Sequence, residues 1–324
     1  MNRVFVTGAN GLLGRNLIKM LAQRGYSVTA LVRRSGSMQE ISGSGINIVQ
    51  GDLSDKERLT RLSAGCNLVA HIAANTNQAL PKAEHYREAN VRGTENMIEA
   101  SVRNRTEKFV YVGTANTYGY GTLSEPGNEE LPAAAPFTKS PYVISKCEAQ
   151  RVVERASSDL NITTISPAFM VGPYDYKPGS GRVVARALGR RLIFHPSGGK
   201  SFVHVADVAE AVIKAFSLES SGGQYIIANE NLSYREFYRK LLDVTGQKSI
   251  LIPLPDIILR AAGLAGDLFR TLGAETEVSS VNMRLLMVKN YYSNVRARHH
   301  LGIDFTPVEK AIADAAAFFR SELM

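Results

Sequence analysis

The first fourteen residues constrain the fold more than any other part of the chain. An apolar run, Val4-Phe5-Val6, feeds directly into Thr7-Gly8-Ala9-Asn10-Gly11-Leu12-Leu13-Gly14. A buried strand that ends in a glycine turn and opens a helix brings backbone N–H groups and the positive end of a helix dipole to one point, where a pyrophosphate docks. The spacing is G-x-x-G-x-x-G, one residue wider in its first half than the G-x-G-x-x-G dinucleotide fingerprint. Three spaced glycines alone also suit an ordinary strand-to-helix turn with small residues for tight packing. Context favours the nucleotide: a strand precedes the turn, and from Arg15 to Arg24 the residues Leu17, Ile18, Leu21 and Ala22 share one helical face. Gly8, Asn10, Gly11, Leu12, Leu13 and Gly14 are the expected contacts of this turn.

Apolar β-branched runs recur through the first half, at Val4–Val6, Val28–Val32, Ile46–Val49, Leu68–Ile72, Phe109–Val112 and Ile162–Ile165. Helical patterns lie between them, clearest at Glu88 to Val102 and Val143 to Ala156. Strands buried on both faces with intervening helices indicate an α/β, Rossmann-like, doubly wound parallel sheet. Such sheets bind ligands outside the carboxyl ends of their strands. Past Pro167 the pattern loosens into the turn-rich stretch Gly172–Gly179. Regularity returns at Phe202-Val203-His204-Val205, a helix at Ala206–Phe216 and a strand at Gln224–Ala228. The rest reads as mainly helical: Tyr234–Leu242, Ile257–Leu272, Val278–Val288 and Pro307–Phe319. The expected organisation is a dinucleotide-binding domain over 1–168 with a return segment 202–228, and a smaller, mostly helical substrate-binding part over 169–201 and 229–324.

Composition narrows the classes. With 324 residues, 44% of them hydrophobic, the chain has material for a large core and is not disordered. Its two cysteines, Cys66 and Cys147, have neither metal-ligand spacing nor disulfide density, so no metal site and a reducing, cytoplasmic setting are expected. The apolar run after Arg3 is too short for a signal peptide, and no stretch is long enough to span a bilayer. The formal charge of +8 would suit nucleic acid or a membrane, yet the basic residues are scattered along the chain. Neither nucleic acid nor membrane is the expected partner; a small-molecule substrate and cofactor phosphates are.

Tyr142-Val143-Ile144-Ser145-Lys146 places a tyrosine and a lysine one helical turn apart on one face. A neighbouring ammonium favours the phenolate, which would make Tyr142 a general acid or base on a carbonyl or alcohol oxygen. The same pattern also fits a surface helix, and only the glycine turn raises its weight. Phe109–Val112 reads as a central strand ending at Gly113-Thr114, so the Thr114 hydroxyl lies at a strand's carboxyl end. There it can orient a substrate carbonyl and stabilise developing charge. Thr117 is the alternative donor, and a hydroxyl satisfied by its own turn is the structural alternative.

These pieces together resemble the extended short-chain dehydrogenase/reductases of the NAD-dependent epimerase/dehydratase family, in the branch of dihydroflavonol reductases and 3β-hydroxysteroid dehydrogenases. The resemblance covers essentially the whole chain. It is carried by Thr7–Gly14, Gly51-Asp52-Leu53, His71-Ile72-Ala73-Ala74, Asn90-Val91-Arg92-Gly93-Thr94, Thr114 with Tyr118-Gly119, Tyr142 to Lys146, Gly172-Pro173 and Phe202 to Ala209. It implies that Asp52 and Leu53 meet the adenine, that Ala73 and Ala74 pass behind the cofactor, and that Lys146 also holds the nicotinamide ribose. It further implies that the backbone from Pro167 to Val171 lines the nicotinamide, and that the chain forms a homodimer. Two positions depart from the family pattern: Thr114 replaces the usual serine, and Ala206 stands where an acid often precedes Asp207. His71 and His204 look catalytic in isolation, but the pattern treats both as structural.

The second strand ends Leu31-Val32-Arg33-Arg34, where NAD-binding proteins carry an acid for the ribose hydroxyls. Arg33 and Arg34 suit a 2′-phosphate instead, so NADP is the expected cofactor and NAD the alternative. NADP favours a net reductase moving a hydride between nicotinamide and a secondary alcohol or ketone. The apolar stretch Pro253 to Leu264 resembles the substrate-covering part of members acting on lipophilic or aromatic ketones, though amphipathic helices are more often core. Arg182, Arg186, Arg190 and Arg191 would instead suit an NDP-sugar diphosphate and an NAD-dependent epimerase or dehydratase. A nucleotide-sensing regulator on the same scaffold is a third reading, which an intact Thr/Tyr/Lys trio opposes.

Overall fold

Strands with apolar side chains on both faces are stable only when helices cover both faces, and the computed structural model has this layered arrangement. It describes residues 2–33 and 45–322. In chain order the strands are β1 (Arg3–Thr7), β2 (Ser27–Val32), β3 (Ile46–Gln50), β4 (Leu68–His71), β5 (Lys108–Val112), β6 (Ile162–Pro167), β7 (Phe169–Val171), β8 (Leu192–His195), β9 (Gly199–His204), β10 (Gly223–Ile227), β11 (Glu230–Ser233), β12 (Ile250–Pro253) and β13 (Lys289–Asn290). The helices are α1 (Leu12–Gln23), α2 (Lys56–Ser63), α3 (Glu84–Arg87), α4 (Gly93–Arg103), α5 (Pro141–Ala156), α6 (Arg182–Ala185), α7 (Val205–Ala215), α8 (Tyr234–Thr245), α9 (Asp256–Thr271), α10 (Ser280–Met287), α11 (Val295–Leu301) and α12 (Val308–Glu322).

Among the described residues, seven strands form one parallel sheet in the order β10-β6-β5-β4-β1-β2-β3. The order reverses between β1 and β4, so a crevice opens there at the carboxyl edge. One face is covered by α1, α7 and α11, whose Leu17, Val208 and Leu301 join Val4, Val6 and Val110 in one core. The other face packs Phe5, Phe109 and Tyr111 under Leu59, Met97, Ala149 and Val153 of α2, α4 and α5. Fully burying a side chain such as Leu17 contributes roughly 1.5–3 kcal/mol, so these cores hold the strand ends rigidly.

A second unit builds on β9, which is paired by β7, β11 and β13, and has its own core around Phe202, Phe237, Ile312 and Phe319. Its β8 and β12 pair in parallel apart from that sheet. This part is less purely helical than the sequence pattern suggests. The extra strands are short and pair across long separations, so they leave no alternation to read. Helix α8 is closed by local chemistry: Ser233 and Glu236 form a capping box, and Gly246 ends it in the left-handed conformation.

The helix expected over Glu88–Val102 is divided. A π-helical turn, Glu88–Arg92, joins α3 to α4. A Cβ on Gly93 would lie 2.9 Å from Leu53 Cβ, so a glycine lets α4 start against the loop after β3. Such π turns occur mostly at functional sites, and this one carries Asn90.

Candidate active site

The glycine turn is a close-packed cradle. Gly8 has φ +71°, and a Cβ there would stand 2.7 Å from Ala73 N; on Gly14 it would stand 2.2 Å from Gly8 O. Only glycine allows β1, the turn and the loop after β4 to approach this closely. Gly11 is the N-cap of α1 and has no side chain to cap it, so the first-turn amides, including those of Leu12 and Leu13, have no intrahelical acceptor. Asn10 and Leu12 are half-buried beside them. This donor set and close backbone approach fit a dinucleotide pyrophosphate.

A hydroxyl and imidazole network fixes the turn to β4. The Thr7 hydroxyl accepts from the Ile72 and Ala73 amides, each at 3.2 Å, and lies 2.9 Å from His71 Nδ1. His71 Nε2 lies 3.1 Å from Thr94 Oγ1, which donates to the Asn90 carbonyl. Burial pushes His71 down to about 3, so it is neutral: the network assigns Nδ1 as acceptor and Nε2–H as donor. Asn90 continues the chain, accepting from Asn75 N and donating to Ser145 Oγ at 2.9 Å. Thus the π turn ties the cradle to α5. His204 is also structural, since its Nδ1 caps α7 at Ala206 N and its Nε2 meets Asp314.

Thr114, Tyr142 and Lys146 come together at the carboxyl end of β5. Pro141 occupies the first turn of α5, where its missing N–H costs nothing, and Tyr142 follows it at the helix mouth. The Thr114 hydroxyl accepts from the Asn116 amide at 3.4 Å and faces the Tyr142 phenol, which it acts to lower. Thr117 instead donates to the Thr114 carbonyl at 2.8 Å, so its hydroxyl is occupied by the backbone. Lys146 is buried; its Nζ donates to Val112 O at 2.9 Å and lies 4.4 Å from the centre of the Tyr111 ring. Burial pushes Lys146 down to about 7 and Tyr142 up to about 12, with the Thr114 hydroxyl opposing the latter. The lowered phenol expected beside a lysine is therefore not produced by the protein groups: desolvation outweighs them, and Tyr142 holds its proton at neutral pH.

The expected adenosine contacts lie at the ends of β2 and β3. Arg33 is exposed there, and its charge helps hold the Asp52 carboxyl low, after the stronger hydrogen bonds from Ser54. Leu53 packs against Gly93, and its carbonyl accepts from Asn96. Arg34 lies outside the described residues. Ala73 and Ala74 are half-buried just past β4. Pro167 ends β6, and Val171 is fully buried in the second core.

Several site residues had no local sequence signal. Tyr86 lies 6.1 Å from Tyr142, ring centre to ring centre. Beside it opens a cleft of about 260 Å³ lined by Tyr86, Lys139, Pro141, Asp267, Arg270 and Asn282 among others. Arg270 spans from α9 to the Gln78 and Thr276 carbonyls, and Asn282 also donates to Gln78 O. Next to Thr114, Asn116 meets Asn290 and Tyr292, and Asn290 accepts from buried Lys200 at 2.6 Å. No carboxylate pairs with Lys200 among the described residues, and burial pushes it down to about 7. Only the folded β9 and β13 bring these groups together.

Residues 4–229 match the NAD dependent epimerase/dehydratase family. A 4-hydroxy-2-methyl-3-oxo-4-farnesyl-3,4-dihydroquinoline-1-oxide ketoreductase from Stigmatella aurantiaca is 30% identical over 312 residues, covering 93% of this chain and 91% of that protein. Sterol demethylase protein B from Methylococcus capsulatus is 27% identical over 326 residues, 98% of each chain. The crystal structure of gox2253 superposes with a TM-score of 0.82 at 27% identity, covering 99% of both chains.

Proposed function

Because the chain belongs to the NAD-dependent epimerase/dehydratase family and is an extended short-chain reductase/dehydrogenase, we propose that it reduces a lipophilic ketone to a secondary alcohol with NADPH. The observation that carries this reading is the Tyr142 phenol, protonated near neutrality, beside Thr114 and with its ring 6.1 Å from that of Tyr86, which lines the cleft. A bound nicotinamide dinucleotide supplies the hydride to the carbonyl carbon. Thr114 holds the carbonyl oxygen and stabilises its growing negative charge. Tyr142 gives that oxygen its proton, which completes the alcohol. Lys146 would hold the nicotinamide ribose and, in its protonated form, place positive charge behind the tyrosine as its proton leaves.

Arg33 supports NADP, since an exposed guanidinium at the end of β2 suits a 2′-phosphate where an acid would repel it. Arg33→Asp is expected to raise the KM for NADPH by about tenfold or more, the worth of one charge-assisted contact, and to spare the KM for NADH. Steady-state kinetics with both cofactors checks this. The names of the two relatives, which refer to a sterol and a 3-oxo-4-farnesyl-dihydroquinoline, support a lipophilic ring substrate. A homodimer through α4 and α5 is part of the reading, supported by a groove where Val91 and Val152 lie among Glu95 and Arg151.

The family's description favours a second reading, in which retained NAD returns the hydride to the same NDP-sugar. Against it, Arg182 is engaged with Glu277 and Gly179 O, and Arg190 and Arg191 are exposed beside β8 and do not line the cleft. Native mass spectrometry with an NADPH-consumption assay separates the two. Stoichiometric NADPH oxidation with a cyclic ketone supports the reductase; retained NAD with no net consumption supports the epimerase.

A further inference from the structure

Helix α9 is apolar on two opposite sides. At 3.6 residues per turn, Leu259, Gly263 and Gly266 point inward. A Cβ on Gly263 would lie 2.8 Å from Ser280 Cα, and on Gly266 2.1 Å from Val278 O, so backbone contact locks this side onto the segment leading into α10. The opposite arc, roughly 140° wide, holds Ile257, Ile258, Leu264, Leu268, Phe269 and the cap residue Leu272. All are exposed: Ile257 by 71%, Leu264 by 69%, Leu268 by 61% and Leu272 by 75%. The inward glycines prevent the helix from rolling to hide them. Leu254 and Pro255 connect α9 to β12, where exposed Ile250 pairs in register with exposed Leu192 of β8, and Phe194 follows. Exposed apolar side chains gathered in this number mark an interface.

The occupant is indicated by charge. Arg190, Arg191 and Lys248 are exposed where β8 and β12 begin, and Ile250 N donates to Arg191 O, so the three cations border the apolar face. They form no ion pair among the described residues; of the two acids on α9, Asp256 accepts from Ser197 and Asp267 from the Ser280 amide on the side turned away from the face. Scattered in sequence, these cations are gathered by folding. Unpaired cations beside exposed apolar side chains are the combination that anionic headgroups over acyl chains neutralise and cover. We propose that the outer face of α9, with the adjoining ends of β8 and β12, is a docking surface for an anionic lipid bilayer. No helix among the described residues is long and apolar enough to cross a membrane, so the contact is peripheral, with α9 lying in the interface plane. The other side of α9 supplies Asp267 and Arg270 to the cleft.

The chain contains no tryptophan, so Phe269→Trp gives a single reporter. Its emission is expected to shift to the blue with vesicles of phosphatidylcholine containing roughly a third phosphatidylglycerol, and to bind these at least about tenfold more tightly than phosphatidylcholine alone. Vesicle co-sedimentation of the unmodified protein should show the same preference, weakened by salt. Leu264→Glu with Leu268→Glu should abolish binding while leaving the melting temperature unchanged, and Arg190→Glu with Arg191→Glu should remove the anionic preference. No emission shift, or vesicle binding that survives the glutamates, overturns the proposal. So does a dimer in sedimentation equilibrium that the glutamates dissociate, which would assign the face to a second copy. None of these readouts depends on turnover, so failure here leaves the reductase reading standing.

Discussion

Which hydroxyl can reach a ligand decides the chemistry at the end of β5. Thr117 spends its proton on the Thr114 carbonyl, whereas Thr114 contacts Tyr142. Thr114→Ala is expected to lower kcat/KM by about 10²-fold, the scale of one oxyanion donor, while Thr114→Ser keeps most activity. Steady-state kinetics on the two variants checks this; equal losses would remove the hydroxyl from the mechanism. Lys200 makes a different prediction. Its folded value, about 7, lies below the ordinary lysine value of about 10.4. Between those values the unfolded chain holds more protons, so stability rises with pH across that window, and Lys146 contributes in the same sense. Lys200→Met should flatten the rise, as read by denaturant unfolding from about pH 7 to about pH 9. An unchanged slope would contradict it. The Tyr/Lys spacing and Thr114 were legible in the chain because they lie on one helix and at one strand end. Asn116, Lys200 and Asn290 were not, because nothing local joins them.

At the scale of elements, the glycine turn is set by backbone contacts and not by composition. Gly14→Ala would drive a methyl to 2.2 Å from Gly8 O, and neither backbone can yield. A loss of about 2 kcal/mol or more is expected, with loss of dinucleotide binding. Gly11→Ala meets only an ordinary 3.4 Å contact and should melt near the parent temperature. Thermal melts with and without NADPH check the contrast; equal effects would show that the turn does not require close approach. The turn and the strand–helix alternation were readable because fully buried parallel strands leave continuous apolar runs. β7, β8 and β11 to β13 left no such trace, being only two to four residues long. Helix α9 was readable as apolar but not as to its facing: one side is packed, a flank meets the cleft, and the outer side is bare.

Across the whole molecule the site is assembled from parts far apart in the chain. The cradle lies after β1, the phenol on α5 and the cleft wall on α9 and α10, and the reversal of strand order between β1 and β4 brings the first two to one edge. This is why cofactor class and reaction type could be read early, whereas substrate shape could not: the cleft is made by Tyr86, Arg270 and Asn282, none of which belongs to a recognisable motif. Proton donation by Tyr142 during carbonyl reduction stands or falls on the turnover of Tyr142→Phe. With a cyclic lipophilic ketone and NADPH, kcat is expected to fall by about 10²- to 10⁴-fold, with NADPH affinity and melting temperature unchanged. Near-parental kcat in Tyr142→Phe would contradict the account.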